Sequence, residues 1–134
     1  MERLTRRLHD AEAALARFGD ILAIEAPTDV ERDAAIKRFE FTFEAVWKAA
    51  QRYLAVMEQI EAGSPGAVIR TCREVGFGDD DAAEARLQAA KDRNLTSHMY
   101  REEVAAAIFS RLPEHRDTLA AWFSEVAART RQEP

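Results

Sequence analysis

Between Ile36 and Met57 the apolar residues Ile36, Phe39, Phe43, Trp47, Ala50, Leu54 and Met57 recur every three or four positions. This period gathers them on one face of an α-helix, whereas a strand, with its two-residue repeat, would scatter them over both faces. Thr28 or Asp29 supplies an N-cap side chain after Pro27, so the spacing predicts one helix of nearly thirty residues, the longest in the chain. The same stepping through Leu4, Leu8, Ala11, Leu15, Phe18 and Leu22 predicts an earlier helix from about Leu4 to Ile24.

After Gly63, Ser64 is placed to cap and Pro65 to occupy a first helical turn, where its missing N–H costs nothing. A short helix over 65–75 ending at Gly76 follows. The triplet Asp79, Asp80 and Asp81 reads as the acidic start of a fourth helix rather than a metal site. That helix is expected to bury Ala85, Leu87, Ala90 and Leu95. A last one carries Val104, Ile108, Leu112, Leu119, Trp122 and Val126, with Pro113 expected to kink or restart it. Alanine, at 26 residues, outweighs the 20 Val, Ile and Thr, and only nine residues are Gly or Pro, so helix formers dominate and turns are few. Short connections make successive helices antiparallel. The expected fold is all-α, an antiparallel up-and-down four-helix bundle with one short extra helix, forming a single domain over 1–131 with a frayed tail over 132–134.

Several function classes drop out. No apolar run approaches the ~18 residues needed to span a bilayer, and charges interrupt the first ten residues where a secretory signal would be apolar, so a cytoplasmic location is expected. The lone Cys72 can form neither an internal disulfide nor a zinc cage and reads as a small buried residue. The net charge of −5 opposes a bulk nucleic-acid binder, although residues 86–134 hold 8 basic and 7 acidic side chains against 11 and 17 before them. A di-iron bundle needs Glu three residues before His, but Arg6, Leu95 and Leu112 precede His9, His98 and His115. Glycine-rich phosphate loops and nucleophile elbows are absent from the sequence.

One polar run stands out, Asp92-Arg93-Asn94-Leu95-Thr96-Ser97-His98-Met99-Tyr100. An imidazole can remove or return a proton near neutrality and a guanidinium can stabilise charge building on phosphate. Together they suffice for metal-free RNA cleavage by the 2′-hydroxyl. On a continuous helix, however, Arg93 and His98 diverge by roughly 140°. They meet only if the helix unwinds or a symmetry-related copy completes the site. Read from the residues alone, a spacing of five between arginine and histidine is common, and the run reads first as a polar helix end whose side chains cap backbone groups.

Arg93-Asn94-Leu95-Thr96-Ser97-His98-Met99-Tyr100 resembles the R-x4-H-x-Y signature of the HEPN superfamily, in its branch of nucleotidyltransferase substrate-binding proteins or HepT-like toxins. Arg38 through Lys48 is similar to that branch's long second helix, and Ser64-Pro65 through Ile69-Arg70 to Gly76-Phe77 to its short third helix, with Gly66 and Ala67 departing from the larger polar residues common there. The resemblance implies a homodimer with RNA or nucleotide at the dimer cleft, and a minimal nucleotidyltransferase as partner. It implies Arg93 and His98 as catalytic residues of a metal-independent ribonuclease needing no cofactor, Asn94 and Ser97 as supporting residues, and Tyr100 as the acceptor of AMP that silences the toxin. A non-catalytic nucleotide- or substrate-binding subunit of the nucleotidyltransferase is the alternative. Regulation through Tyr100 requires a helix break near Ser97 or a close twofold mate, and a break is expected. Thr96 and Ser97 favour one by bonding to nearby backbone, and Arg101-Glu102-Glu103 reads as a new acidic first turn. Phe39, Phe43 and Trp47 are expected in the core, with Glu40, Glu44 and Lys48 paired on an adjacent face.

Overall fold

The computed structural model describes residues 1–132. It contains helices α1 (Glu2–Leu22), α2 (Asp29–Met57), α3 (Pro65–Glu74), α4 (Asp80–Leu95) and α5 (Glu102–Gln132), with a 3₁₀ turn at Thr96–His98 between the last two. No strand occurs among the described residues, and the all-α bundle expected from the periodicity is the one observed. The expected frayed tail falls on Gln132, which closes α5, and on Glu133 and Pro134, which lie outside the described residues. No helix is long and apolar enough to cross a membrane among the described residues.

The caps follow the sequence. Thr28 Oγ1 accepts from the Glu31 N–H at 3.1 Å while Glu31 Oε1 accepts from the Thr28 N–H at 2.9 Å, a reciprocal capping box that fixes where α2 begins. Ser64 Oγ accepts from the Ala67 N–H with Pro65 in the first turn of α3. Asp79 caps α4 through the Ala82 N–H at 2.9 Å, and Asp80 pairs with Arg73 Nε at 2.8 Å. Gly78, at φ +79°, lets the chain turn into α4 where a Cβ would stand 2.7 Å from that of Ala82.

The long helices α1, α2 and α5 pack on one another, and α3 and α4 close the remaining side against α2 and α5. Phe18, Phe39, Phe43, Tyr53, Ile108 and Trp122 are fully enclosed between them, and Trp47 is buried at the edge of the same cluster. Cys72 is buried on α3, and loss of solvent pushes its thiol up to about 11.

One expectation is narrowed and another fails. Helix α5 does not restart at Pro113 but runs through it, with Leu112 buried and Pro113 on the exposed side. A proline there can be tolerated because the Phe109 carbonyl deprived of its partner lies on a half-exposed turn rather than in the core. The buried face of α4 is also not the apolar one. Arg86, Ala89, Asp92 and Thr96 point inward, Ala85, Leu87 and Ala90 are half-buried, and Leu95 is exposed.

Polar partners on neighbouring elements make this inversion stable. Arg86 donates from Nη1 to the Phe77 carbonyl at 2.6 Å and lies over the Trp122 ring. Asp92, fully enclosed, accepts from Arg111 Nε at 2.7 Å and Arg111 Nη2 at 2.8 Å, and its Oδ2 lies 2.6 Å from His115 Nε2. His115 stacks on Phe39 at 5.1 Å between ring centres. Burial works to raise the Asp92 pKa, but the bonds to Arg111 and His115 outweigh it and hold the carboxyl below the usual range.

Removing Asp92 leaves a buried histidine and a partly buried arginine without their anion. With Arg111 about a third exposed and open to water, we place the cost of Asp92→Ala at the low end for a buried pair, ~3 kcal/mol. Urea unfolding at pH 7 measures it. Because the folded-state pKa is depressed, this contribution is present above the carboxyl's unfolded pKa and is lost as pH falls through the folded one. The gap between wild type and variant should therefore narrow below roughly pH 4.

Candidate functional site

Helix α4 ends at Leu95 because side chains take over its last carbonyls. The Thr96 hydroxyl lies 2.6 Å from the Arg93 carbonyl and also within hydrogen-bond distance of Glu40 Oε1, so one proton serves two acceptors. Ser97 Oγ donates to the Asn94 carbonyl at 3.1 Å. The chain tightens into the 3₁₀ turn, and the Arg101 N–H bonds the His98 carbonyl at 3.1 Å. Arg101 then accepts through its own carbonyl from Val104 and Ala105 as α5 begins. Glu102 anchors that start to α2, accepting from Arg32 Nη2 at 3.1 Å. The break expected near Ser97 is therefore present, with the physical cause foreseen for it.

The turn separates the motif into two stations. Arg93 leaves the last turn of α4 toward α2, where its Nη2 donates to Glu44 Oε1 at 2.9 Å. Its Nε is enclosed without a partner. Arg93 and Asn94 line a cleft of about 460 Å³ together with Lys91, Phe43, Pro65 and Gly66, between the beginning of α3 and the second half of α4. His98 is not part of that lining. It is exposed on the 3₁₀ turn, with its ring centre 6.1 Å from that of Tyr100 at an interplanar angle of 64°. Tyr100 is 79% exposed, so its hydroxyl is open to a partner rather than packed in the core. Ser97 is also exposed, bonded only to the backbone behind it. Arg93 and His98 share no hydrogen bond within one chain.

Two functional features escaped the sequence. Lys48 pairs with Glu44 at 3.2 Å as the i, i+4 spacing predicts, but the same carboxylate also receives Trp47 Nε1 at 3.2 Å and Arg93. Burial works to raise the Glu44 pKa, and the hydrogen bonds from Trp47 and Lys48 with the charge of Arg93 more than reverse this, so it stays ionised at neutral pH. Glu40, one turn earlier, holds Thr96. Glu40 and Glu44 of α2 therefore contact the motif, a pairing across 56 and 49 residues that local spacing cannot reveal. The Asp92–Arg111–His115 cluster had a visible trace. His115 occupies a core register position between Leu112 and Leu119, and a histidine there needs a buried partner.

The same arrangement of helices occurs in proteins of known structure. A Thermus thermophilus protein of known crystal structure superposes with a TM-score of 0.83 at 47% identity, covering 87% of this chain and 98% of that one. A Haemophilus influenzae protein, whose structure is described as revealing the fold of a substrate binding domain of a nucleotidyltransferase, superposes with a TM-score of 0.61 over 94% of this chain and 98% of that one. At 19% identity it speaks for the fold alone. A bifunctional purine biosynthesis protein PurH from Rhizobium rhizogenes is 27% identical over 123 residues, 80% of this chain and 22% of the relative, so the chain spans about a fifth of that relative's length. The sequence pattern of the family described as nucleotidyltransferase substrate binding protein like matches residues 6–127. With nearly the whole helical bundle inside that match, the chain belongs to the nucleotidyltransferase substrate binding protein like family.

Proposed function

We propose that this chain is the HEPN-type subunit of a two-component module with a minimal nucleotidyltransferase, a metal-independent ribonuclease toxin of the cytoplasm that AMP transfer to Tyr100 silences. The observation that carries the reading is the break after Leu95, which leaves His98 and Tyr100 side by side and exposed while Arg93 points into a cleft. A single-domain homodimer completes the site. Two copies meeting about a twofold axis near the ends of α4 bring one chain's His98 to a phosphate held by the other's Arg93. Exposed Leu95 and Tyr100 beside the motif supply apolar surface for that contact.

In the cleft, the 2′-hydroxyl of the RNA attacks its own phosphorus. His98 takes the hydroxyl proton or returns one to the departing 5′-oxygen, and Arg93 meets the charge that grows on the phosphoryl oxygens. Asn94 and Ser97 support the turn and the cleft wall, and no step requires a metal or cofactor. Silencing is a separate reaction. The Tyr100 phenol oxygen attacks the α-phosphorus of ATP, the bond to pyrophosphate breaks, and the phenolic proton passes to solvent. The attached AMP anion then stands beside His98 and competes with RNA for the phosphate position.

A second reading has its own support in the family description, which speaks of substrate binding, and in the Glu44 partner that already occupies Arg93. In it the subunit presents a nucleotide or acceptor to the nucleotidyltransferase and cuts nothing.

RNA cleavage assays separate the two. His98→Ala should lower cleavage by ~10²–10⁴-fold with helicity intact, since the exposed ring contributes no core packing. Arg93→Lys should also be impaired, because an ammonium lacks the planar two-pronged grip, and wild-type cleavage should survive EDTA. Full activity in His98→Ala, or metal-dependent cleavage, would overturn the mechanism written above, and no cleavage by the wild type would favour the non-catalytic reading.

Intact-mass measurement after incubation with ATP, Mg²⁺ and the partner nucleotidyltransferase should show added AMP on the wild type and none on Tyr100→Phe. Cleavage should fall only as that mass appears. A label on another residue, or unchanged cleavage by the modified chain, rules out Tyr100 as the switch.

A further inference from the structure

The motif's arginine is already engaged in the isolated chain. Of its donors, Nη2 is taken by Glu44 and Nε is enclosed, yet the side chain remains 39% exposed on the wall of the 460 Å³ cleft. That cleft has a second cation, Lys91, an amide, Asn94, and half-buried apolar side chains in Pro65, Leu87 and Ala90. This combination suits a phosphate with an attached sugar or base: charge and hydrogen bonds on one side, small apolar side chains on the other. Glu44 is the only carboxylate bonded to Arg93 among the described residues, and it is not tied to Arg93 alone. Trp47 Nε1 shares Oε1 with Arg93, and Lys48 Nζ holds the other oxygen, Oε2. If Arg93 lets go, the carboxylate keeps two of its three partners and remains solvated, with 34% of its side chain exposed.

We propose that the cleft between α3 and α4 is a phosphate-binding subsite and that Glu44 is its resident counter-ion, which an incoming phosphate displaces from Arg93. The inference rests on the reading that Arg93 binds phosphate, and adds where the phosphate enters and what it competes with. A phosphate outcompetes a carboxylate here because it presents two or more oxygens to the planar guanidinium and can also reach Lys91. A phosphate that takes Nη2 displaces Glu44 from it, and one that binds Nη1 is repelled by the neighbouring carboxylate, so phosphate binding and the Glu44 contact oppose each other. Glu44 therefore sets a threshold: neutral or weakly charged ligands do not open the pair. The shared chemistry is a phosphate oxyanion, whether in an RNA phosphodiester or on a free nucleotide.

The test uses the full-length chain carrying His98→Ala, so that RNA stays intact. The probes are a fluorescein-labelled 12-mer of single-stranded RNA, followed by anisotropy at low salt, and AMP, followed by calorimetry. Glu44→Gln preserves shape and a carbonyl for Trp47 but removes the charge. It should tighten binding by roughly threefold to tenfold. Arg93→Gln should weaken binding by at least roughly fivefold, and adding Glu44→Gln to it should restore less than about twofold, because the gain acts through Arg93. Lys91→Gln should weaken binding about twofold. Tightening for RNA alone assigns the subsite to a phosphodiester; tightening for AMP as well assigns it to a nucleotide phosphate.

Unchanged or weaker binding by Glu44→Gln, with a wild-type melting temperature and Arg93→Gln still weakened, overturns the counter-ion role while leaving phosphate binding by Arg93 intact. Unchanged binding by Lys91→Gln removes the phosphate from this cleft. If Arg93→Gln itself binds both probes as well as the parent, the motif does not hold phosphate, and the underlying functional reading fails with it.

Discussion

The buried carboxylate of Asp92 ties the end of α4 to the middle of α5. Its two oxygens accept from Arg111 Nε and Nη2 and contact His115, which in turn stacks on Phe39 of α2. Three helices are thereby locked at one level of the bundle, and the next residue along α4 is Arg93. A one-residue rotation of α4 would put Asp92 into solvent, leaving Arg111 and His115 without their anion, and would bring the Arg93 cation into the core beside them. The orientation of the motif arginine is thus fixed by a neighbour that takes no part in its chemistry. Thr96, one turn further on, repeats the device more weakly through Glu40, and there the helix gives way to a 3₁₀ turn.

From this arrangement follows the split between the two motif residues. Arg93 is directed inward along α2 and into the cleft, whereas the turn at Thr96–His98 throws His98 outward beside Tyr100. Neither residue is poised against the other within one chain. A bundle of this kind is well suited to sharing a site between copies, because its rigid helices present the same half-site twice about a symmetry axis. The Glu44 contact fits the same logic. An arginine left bare at a protein surface would attract any anion, and a partner carboxylate makes it selective for ligands that bring more than one oxygen.

Most of the fold could be read from the sequence because its signals were local. The three- and four-residue stepping of Leu4 to Leu22 and of Ile36 to Met57, the Thr28 and Ser64 caps, and the Thr96-Ser97 break each depend on residues within one or two turns. Helix α4 was misread because its inward face is made of Arg86, Asp92 and Thr96, whose burial depends on Phe77, Arg111, His115 and Glu40 elsewhere in the chain. An apolar count cannot detect a polar face satisfied by distant partners. Of the two outcomes expected at Pro113, the restart does not occur, because packing of α5 on α1 and α2 outweighs the loss of one backbone bond. The motif itself was visible as a polar run and as a resemblance, but its wiring to Glu40 and Glu44 emerged only when α2 and α4 were brought side by side.

The claim that the active unit joins Arg93 of one copy to His98 of another is tested most directly by subunit complementation. Chains carrying Arg93→Gln alone and His98→Ala alone, each inactive, are unfolded together, refolded as a mixture and assayed for RNA cleavage. Half of the randomly paired dimers then contain both chains, and each of these holds one site with an intact Arg93 and an intact His98. The account predicts recovery of about a quarter of wild-type activity in the mixture. If the mixture stays as inactive as its components while mixed dimers are shown to form, each site draws both residues from one chain, and the shared-site account is wrong.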